Sequence, residues 1–363
     1  MAGSRRFFLA AGAICLALLQ ACGGGPAVSP AAPSAKAPPA SSPSPIAASQ
    51  PASAAAASQA AATKSGVPKL IVPYGAIAGS FIPLWMAKAI GAFDKYGVAV
   101  EMPYIETSIA VPAMVGKQID VLESSAAPII TVDINGNEDQ VFIASALNHP
   151  ILGIYAKETI KTAADLKGKV IASDKPGTPL DYAARLSLSL MGLKPTDVQL
   201  RPIGSASEVV AAMLSNQVDA GVVAPPQSFQ AEVKGFHLLQ NIFSRPYQNV
   251  GLVAKKSRLD ELAPALRALV AAYRDGIVAY NKQPDLAMKV FDEYAKVSDP
   301  EVLRKTYDFY RTVAPFEESM QPTMQGLQAM IDFLADSTVP GAKGHKPEEF
   351  VDLRFLTDLP KAA

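Results

Sequence analysis

From about residue 67 onward, short apolar runs alternate with stretches whose apolar positions recur every three or four residues. The runs at Leu70–Tyr74, Val98–Met102, Ile119–Leu122, Val141–Ser145, Leu152–Lys157, Val170–Ser173, Val198–Pro202 and Val218–Val223 are too short for helices and predict buried strands. Between them, helical spacing predicts helices from Ser80 or Phe81 to Ala89, from Thr178, from Ser205 to Ser215 and from about Gln227. From Ser257 to Ala335 the helical pattern is continuous. There Leu259, Leu262, Leu266, Leu269, Val270 and Tyr273 form one apolar stripe, which predicts packing and nothing more. Strands alternating with helices predict an α/β fold.

One stretch occurs twice. Ala113–Pro128 reads AMVGKQIDVLESSAAP, and ninety-nine positions later Ala212–Pro226 reads AMLSNQVDAGVVAPP. Ala-Met, then Gln, a β-branched residue and Asp match in register. Each copy predicts a helix that ends near a break (Gly116, Asn216), a short buried strand, and a small-residue loop at the strand's C-terminal end. Ligands of open α/β sheets gather at such carboxyl ends. Two of them in one chain predict two α/β lobes facing each other across a cleft. Crossings near His149-Pro150 and near Arg245–Asn249 would then form a hinge of two adjacent strands. The division that follows is 67–150 with 246–363 for lobe 1 and 151–245 for lobe 2, with Pro347–Leu359 a tail laid back on lobe 1.

Lobe 2 opens a helix just past a strand end, in DKPGTPLDY. Thr178 has the chemistry of an N-cap, Pro179 that of a first helical residue, and Asp181 stands three residues after the cap, as in a capping box. The free N–H groups of such a helix start face where a ligand would lie.

The N-terminus adds a second layer. Arg5 and Arg6, the apolar run Phe7–Leu19 and the sequence Leu19-Gln20-Ala21-Cys22 predict an export signal over 1–22. SRRFFLA resembles a twin-arginine motif and LQAC a lipobox, which makes Cys22 the expected lipid-bearing mature N-terminus, anchored to a membrane surface. Residues 23–66 consist almost wholly of Gly, Pro, Ala, Ser and Gln, and Lys36 and Lys64 are their charges. Such a segment has too little large apolar area to offset the entropy of ordering, and eight prolines extend it into a semi-rigid tether.

Without Arg5, Arg6, Lys36 and Lys64, 29 basic residues face 33 acidic ones, about −4, which is no basic footprint for nucleic acid. Both cysteines, Cys15 and Cys22, precede the folded part, which excludes a disulfide, a Cys-ligated metal and a Cys nucleophile there. His149, His237 and His345 are scattered, and no nucleophile elbow, P-loop or His-Glu-x-x-His occurs. The expectation is a protein that is not an enzyme, with no cofactor and no metal.

YGAIAGSFIPLWMAKAIGAFDKYGVAVEM, GKQIDVLESSAAPIITV, TAADLKGKVIASDKPGTPLDYAARLSLSLMGL, DVQLRPIGSASEVVAAMLSNQVDAGVVAPP and EEFVDLRFL resemble, in the same order, the ABC-transporter substrate-binding proteins of the nitrate/sulfonate/taurine type, a group that includes thiamine-pyrimidine-precursor binders. The resemblance implies a two-lobed periplasmic-binding-protein fold of type II with the C-terminal helices on lobe 1. It also implies a monomer outside the cytoplasmic membrane that captures a small molecule and passes it to an ABC permease and its ATPase. A ligand-sensing or interaction lipoprotein with the same fold is the alternative. A pyrimidine-synthase-like enzyme, whose relatives use iron and a Cys-rich signature, is disfavoured by the thiol-free body.

The candidate ligand-binding residues are Tyr74, Gly79, Ser80, Trp85, Ser124, Ser125, Gly177, Thr178, Asp181, Tyr182, Pro225 and Gln227. Trp85 is either a stacking wall or a core residue. Ser124 and Ser125 either offer hydroxyls to a polar headgroup or make a plain turn. Asp181 is a cap or a partner for a cationic group. With no Arg entering the expected cleft, an anion would rest on backbone N–H groups and hydroxyls; otherwise the ligand is neutral or aromatic.

Overall fold

The computed structural model describes residues 67–136 and 138–361. The export signal, Cys22 and the tether lie outside the described residues. In chain order the elements are β1 (Lys69–Ile71), α1 (Ile82–Ala89), α2 (Ala92–Lys95), β2 (Ala99–Glu101), α3 (Thr107–Val115), β3 (Val121–Ser124), α4 (Ala126–Gly136), β4 (Gln140–Ser145), β5 (Gly153–Lys157), α5 (Ala163–Leu166) and β6 (Val170–Ser173). They continue with α6 (Pro179–Leu190), β7 (Gln199–Pro202), α7 (Ala206–Leu214), β8 (Ala220–Val223), α8 (Gln227–Val233), β9 (Phe236–Asn241) and β10 (Gly251–Lys255). Four helices close the chain: α9 (Ala263–Lys282), α10 (Pro284–Ala295), α11 (Pro300–Thr312) and α12 (Met324–Ser337).

Two sheets result. In the second, the strands run β7-β6-β8-β5-β9, parallel across β7, β6 and β8, with β5 antiparallel to both its neighbours. In the first, β10 lies antiparallel between β3 and β4, while β1 pairs parallel with β2. A single bridge from Tyr74 to Glu123 joins the two pieces in the order β2-β1-β3-β10-β4, and another from Tyr74 to Tyr104 prolongs the β1–β2 pairing. The two lobes therefore share one strand order, with β10 taking the place of β5.

The repeat explains why. α3 and α7 are offset by ninety-nine residues at both ends, and so are β3 and β8. Each helix stops at a left-handed residue, Lys117 (φ 59°) or Asn216 (φ 58°). The next N–H, of Gln118 or Gln217, then turns back to the carbonyl of Ala113 or Ala212, 2.9 Å in both cases. The matched Asp does the rest. Asp120 donates its N–H to Ile71 O (3.1 Å) and accepts from Ile71 N on Oδ2 (2.8 Å). Asp219 does the same to Val170, at 2.9 and 3.1 Å. Its other oxygen meets a cation, Arg258 for Asp120 (2.8 Å) and Lys157 for Asp219 (3.3 Å). The conserved pattern within the chain is thus a clamp between neighbouring strands, a geometric role rather than a ligand-binding one.

Strands β9 and β10 and helix α4 go beyond what the apolar runs predict. Phe236–Asn241 carries His and Gln among its apolar residues, and α4 holds Pro128, Ile129, Ile130, Thr131 and Val132, which disguise a helix as a strand or loop. The two crossings lie side by side: Asn249 Nδ2 donates to His149 O (2.8 Å), Ile242 N to Leu152 O (3.3 Å) and Gln248 Nε2 to Ser145 Oγ (2.7 Å). The tail returns as expected, Asp352 N reaching Phe142 O (2.9 Å) beside the Phe142–Val351 bridge.

The core of lobe 1 centres on Leu70, Ile82, Trp85, Leu122, Phe142 and Val253, covered by Leu266, Leu269, Val270 and Tyr273 of α9. Each large side chain buried this way contributes roughly 1.5–3 kcal/mol. Within that core sits Glu123, fully buried, accepting from Tyr273 OH at 2.6 Å. Burial raises its carboxyl well above the usual range, against the pull of the Tyr273 bond. No described helix is long and apolar enough to cross a membrane.

Candidate functional site

At the tip of lobe 1, residues 75–81 leave β1 and reach across to lobe 2. Gly79 N donates to Pro225 O (3.4 Å), and Gln227 Nε2 donates to Ile77 O (2.8 Å). Tyr310 of α11 donates its hydroxyl to the same Pro225 carbonyl (3.3 Å). Gly79 lies so close to that ring that a Cβ would run into it, which is why glycine stands there. Gly79, Pro225 and Gln227 are therefore brought together. Ser80 is buried beside them in the short 3-10 turn that leads into α1.

Behind this contact lies an aromatic cluster. Trp85 is fully buried, stacked on Tyr294 of α10 (4.8 Å, 11° between planes) and met edge-on by Tyr74 (5.4 Å). Tyr74 also touches Phe81 (6.3 Å) and Tyr104 (5.6 Å), and Tyr104 remains exposed. Such pairs contribute about 0.5–1.5 kcal/mol beyond their buried area. Among the described residues, Trp85 Nε1 has no partner, and neither has Gln227 Oε1. Burial raises the Tyr74 hydroxyl's pKa, helped by Tyr294.

The stripe from Leu259 to Tyr273 packs as expected, but the helices that follow it do more. Tyr294 and Tyr310 bring α10 and α11 to the tips, and Lys305 of α11 pairs with Glu232 of α8 at 3.6 Å. These residues lie more than two hundred positions from Tyr74, so apolar spacing could not place them. The hint was the density of aromatics from Tyr273 to Phe316.

The remaining candidates form a second group. Ser124 Oγ donates to Ser125 O (3.3 Å), turned onto its own backbone. Ser125 lies beside the Tyr247 hydroxyl, whose pKa burial pushes up. Tyr182 stacks on Tyr247 (5.5 Å) and meets Phe333 of α12 edge-on (4.8 Å). Thr178 caps α6, its Oγ1 accepting from Asp181 N at 3.4 Å. The expected capping box is shifted by one residue: Asp181 Oδ2 accepts from Gly177 N (3.0 Å) and Oδ1 from Arg185 Nε (2.8 Å). Gly177 is left-handed (φ 84°), and Thr338 at the end of α12 covers it.

Two surface crevices lie elsewhere. One, of about 230 Å³, has Asp275 and Lys95 in its wall; the other, of about 310 Å³, lies by Arg267 and the tail. Neither includes a candidate residue. Among the described residues, no group of three or more His, Cys, Asp or Glu side chains is placed to hold a metal ion.

Residues 78–287, more than half of the chain, match the family model described as NMT1/THI5 like. The chain belongs to this family. Solved structures similar to it include a protein from Bordetella bronchiseptica RB50 (21% identity, TM-score 0.67, covering 79% of this chain and 95% of the other). The periplasmic aliphatic sulphonate binding protein SsuA from Escherichia coli is 18% identical, with a TM-score of 0.63 over 81% of this chain and 93% of its own. The periplasmic nitrate-binding protein NrtA from Synechocystis PCC 6803 is 16% identical, with a TM-score of 0.57 over 71% and 74%. No curated protein matches the chain. This member of the NMT1/THI5-like family thus has the two-lobed periplasmic-binding-protein fold that the resemblance implies.

Proposed function

We propose that the chain is an extracytoplasmic solute-binding lipoprotein. It captures a small molecule between its lobes, without turnover, and delivers it to an ABC importer while a lipid on Cys22 and the 23–66 tether hold it near the membrane. The binding residues are drawn from the twelve candidates, joined by Tyr104, Tyr294 and Tyr310.

One observation carries the reading: the strand tips of the two lobes meet through Gly79–Pro225 and Ile77–Gln227, while two adjacent crossings form the joint on which they would part. A ligand that touches both tips stabilises the closed arrangement by its differential affinity for it. Similarity to binding proteins named for sulphonate and nitrate supports the same class of function. Small-angle scattering of the mature chain tests it, with panels of sulfonates, nitrate, pyrimidines and aromatic acids and with a small-molecule cell extract. The radius of gyration should fall with a ligand. A radius unchanged in every sample, the extract included, removes the mechanism.

A further inference from the structure

Helix α11 has two sets of partners. One side is fixed to the other C-terminal helices of lobe 1. Tyr280 of α9 donates its hydroxyl to Tyr307 O (2.7 Å), and Tyr310 stacks on Phe316 (5.2 Å, 10° between planes) and on Phe291 of α10 (6.3 Å, 27°). Val302, Lys305 and Phe309, three and four residues apart, share a different side. That side meets lobe 2. Phe309 is buried, edge-on to Phe229 of α8 (6.1 Å, 72°) and to Phe243 just past β9 (5.2 Å, 76°). Val302 lies in a small buried cluster with Ala295 and Val297, against which Ile77 and Phe229 pack. Lys305 reaches Glu232 of α8 at the rim (3.6 Å).

These contacts need no third molecule. They tie α11 to α8 and to the end of β9, so lobes that part must pull Phe309 away from its lobe 2 rings. Burying the rings favours the shut arrangement whatever lies between the tips. The bias is limited, since two edge-on pairs and one solvent-screened ion pair tilt an equilibrium without locking it. A ligand gripping both tips completes a closure already begun. Its apparent affinity scales with the closed fraction that it meets.

We infer that α11 is a latch between the lobes, with Phe309 its main contact, and that it sets how far the chain closes before any ligand arrives. This rests on the reading that the lobes part and close over a small molecule.

Hydrogen exchange of the ligand-free mature chain tests it, because Gly79 N–H is bonded across the gap to Pro225 O. In Phe309→Ala, peptides spanning 75–81 should exchange about fivefold faster or more than in the parent. The radius of gyration should rise with it. Peptides covering β10, inside lobe 1, report general destabilisation and should change less. Phe229→Ala removes the lobe 2 ring and should act in the same direction; it carries the test if circular dichroism shows Phe309→Ala unfolded. Lys305→Glu, at the exposed rim, should give a smaller change of the same sign. Acceleration no greater at 75–81 than at β10, or an unchanged radius in the folded variants, overturns the latch. If the parent still compacts with the small-molecule extract, that failure leaves capture between the lobes intact. Expanded variants that the extract does not compact, beside a parent that it does not compact either, keep the latch and remove capture.

Discussion

The two lobes carry the same helix-to-strand unit at a spacing of ninety-nine residues, yet they present different chemistry at its tip. The shared part is geometric: a helix stopped by a left-handed residue, a carbonyl turned back, and an Asp clamping the neighbouring strand. The divergent part lies just beyond. Where the first sheet has Tyr74, the second has Ser173; where the first has buried Glu123, the second has Val222. Lobe 1 thus ends in an aromatic cluster and lobe 2 in a capped, internally neutralised helix start. A scaffold that repeats can hold two tips in mirrored positions while each tip is free to change.

Breaking the clamps tests whether the copies are equivalent in energy, and the largest effect is expected there. Asp120→Ala leaves the Ile71 N–H unpaired and Arg258 with Glu261 alone, and should cost about 3 kcal/mol in urea unfolding. Asp219→Ala releases a longer contact to Lys157 and should cost about half of that, roughly 1.5 kcal/mol. Burial works to raise the Asp219 carboxyl, but the Val170 N–H and Lys157 outweigh it and hold it below the usual range. Its contribution is therefore present above the unfolded carboxylate pKa and fades as pH falls through the folded one. Equal losses in both variants would show that the second partner does not matter.

Glu123 sharpens the contrast with Val222. Because burial raises its folded pKa, stability is lost as pH rises from the unfolded value toward the folded one. Glu123→Gln keeps an acceptor for Tyr273 OH and should gain about 2 kcal/mol at pH 8, with the gain vanishing near pH 4. A gain independent of pH would show that the carboxyl's charge is not its cause. The smallest effect is expected at the helix stops. Asn tolerates the left-handed region better than Lys, so Lys117→Asn should stabilise, and Asn216→Lys destabilise, by roughly 0.5 kcal/mol in thermal unfolding.

Much of this was legible in the residues. The strands from Leu70 to Val223, the Thr178–Pro179 helix start and the doubled unit all follow from local period and capping chemistry. What escaped was of two kinds. Helix α4 and strand β9 carry local signals that contradict their state, because packing against neighbours overrides a Pro and β-branched run in one and polar interruptions in the other. Tyr104, Tyr294 and Tyr310 were invisible for another reason: their role depends on which distant segment the topology lays beside the tips. Among the named candidates, Trp85 sits in the core with an unpaired indole nitrogen, and Ser124 turns toward its own backbone.

The stack of Trp85 on Tyr294 makes the molecule its own optical gauge. The chain holds a single tryptophan, wedged between the loop that reaches lobe 2 and a helix from the far end of the sequence. Any rearrangement of that loop alters the surroundings of this one emitter, so the lobe motion proposed above would be read by ultraviolet emission on unlabelled protein.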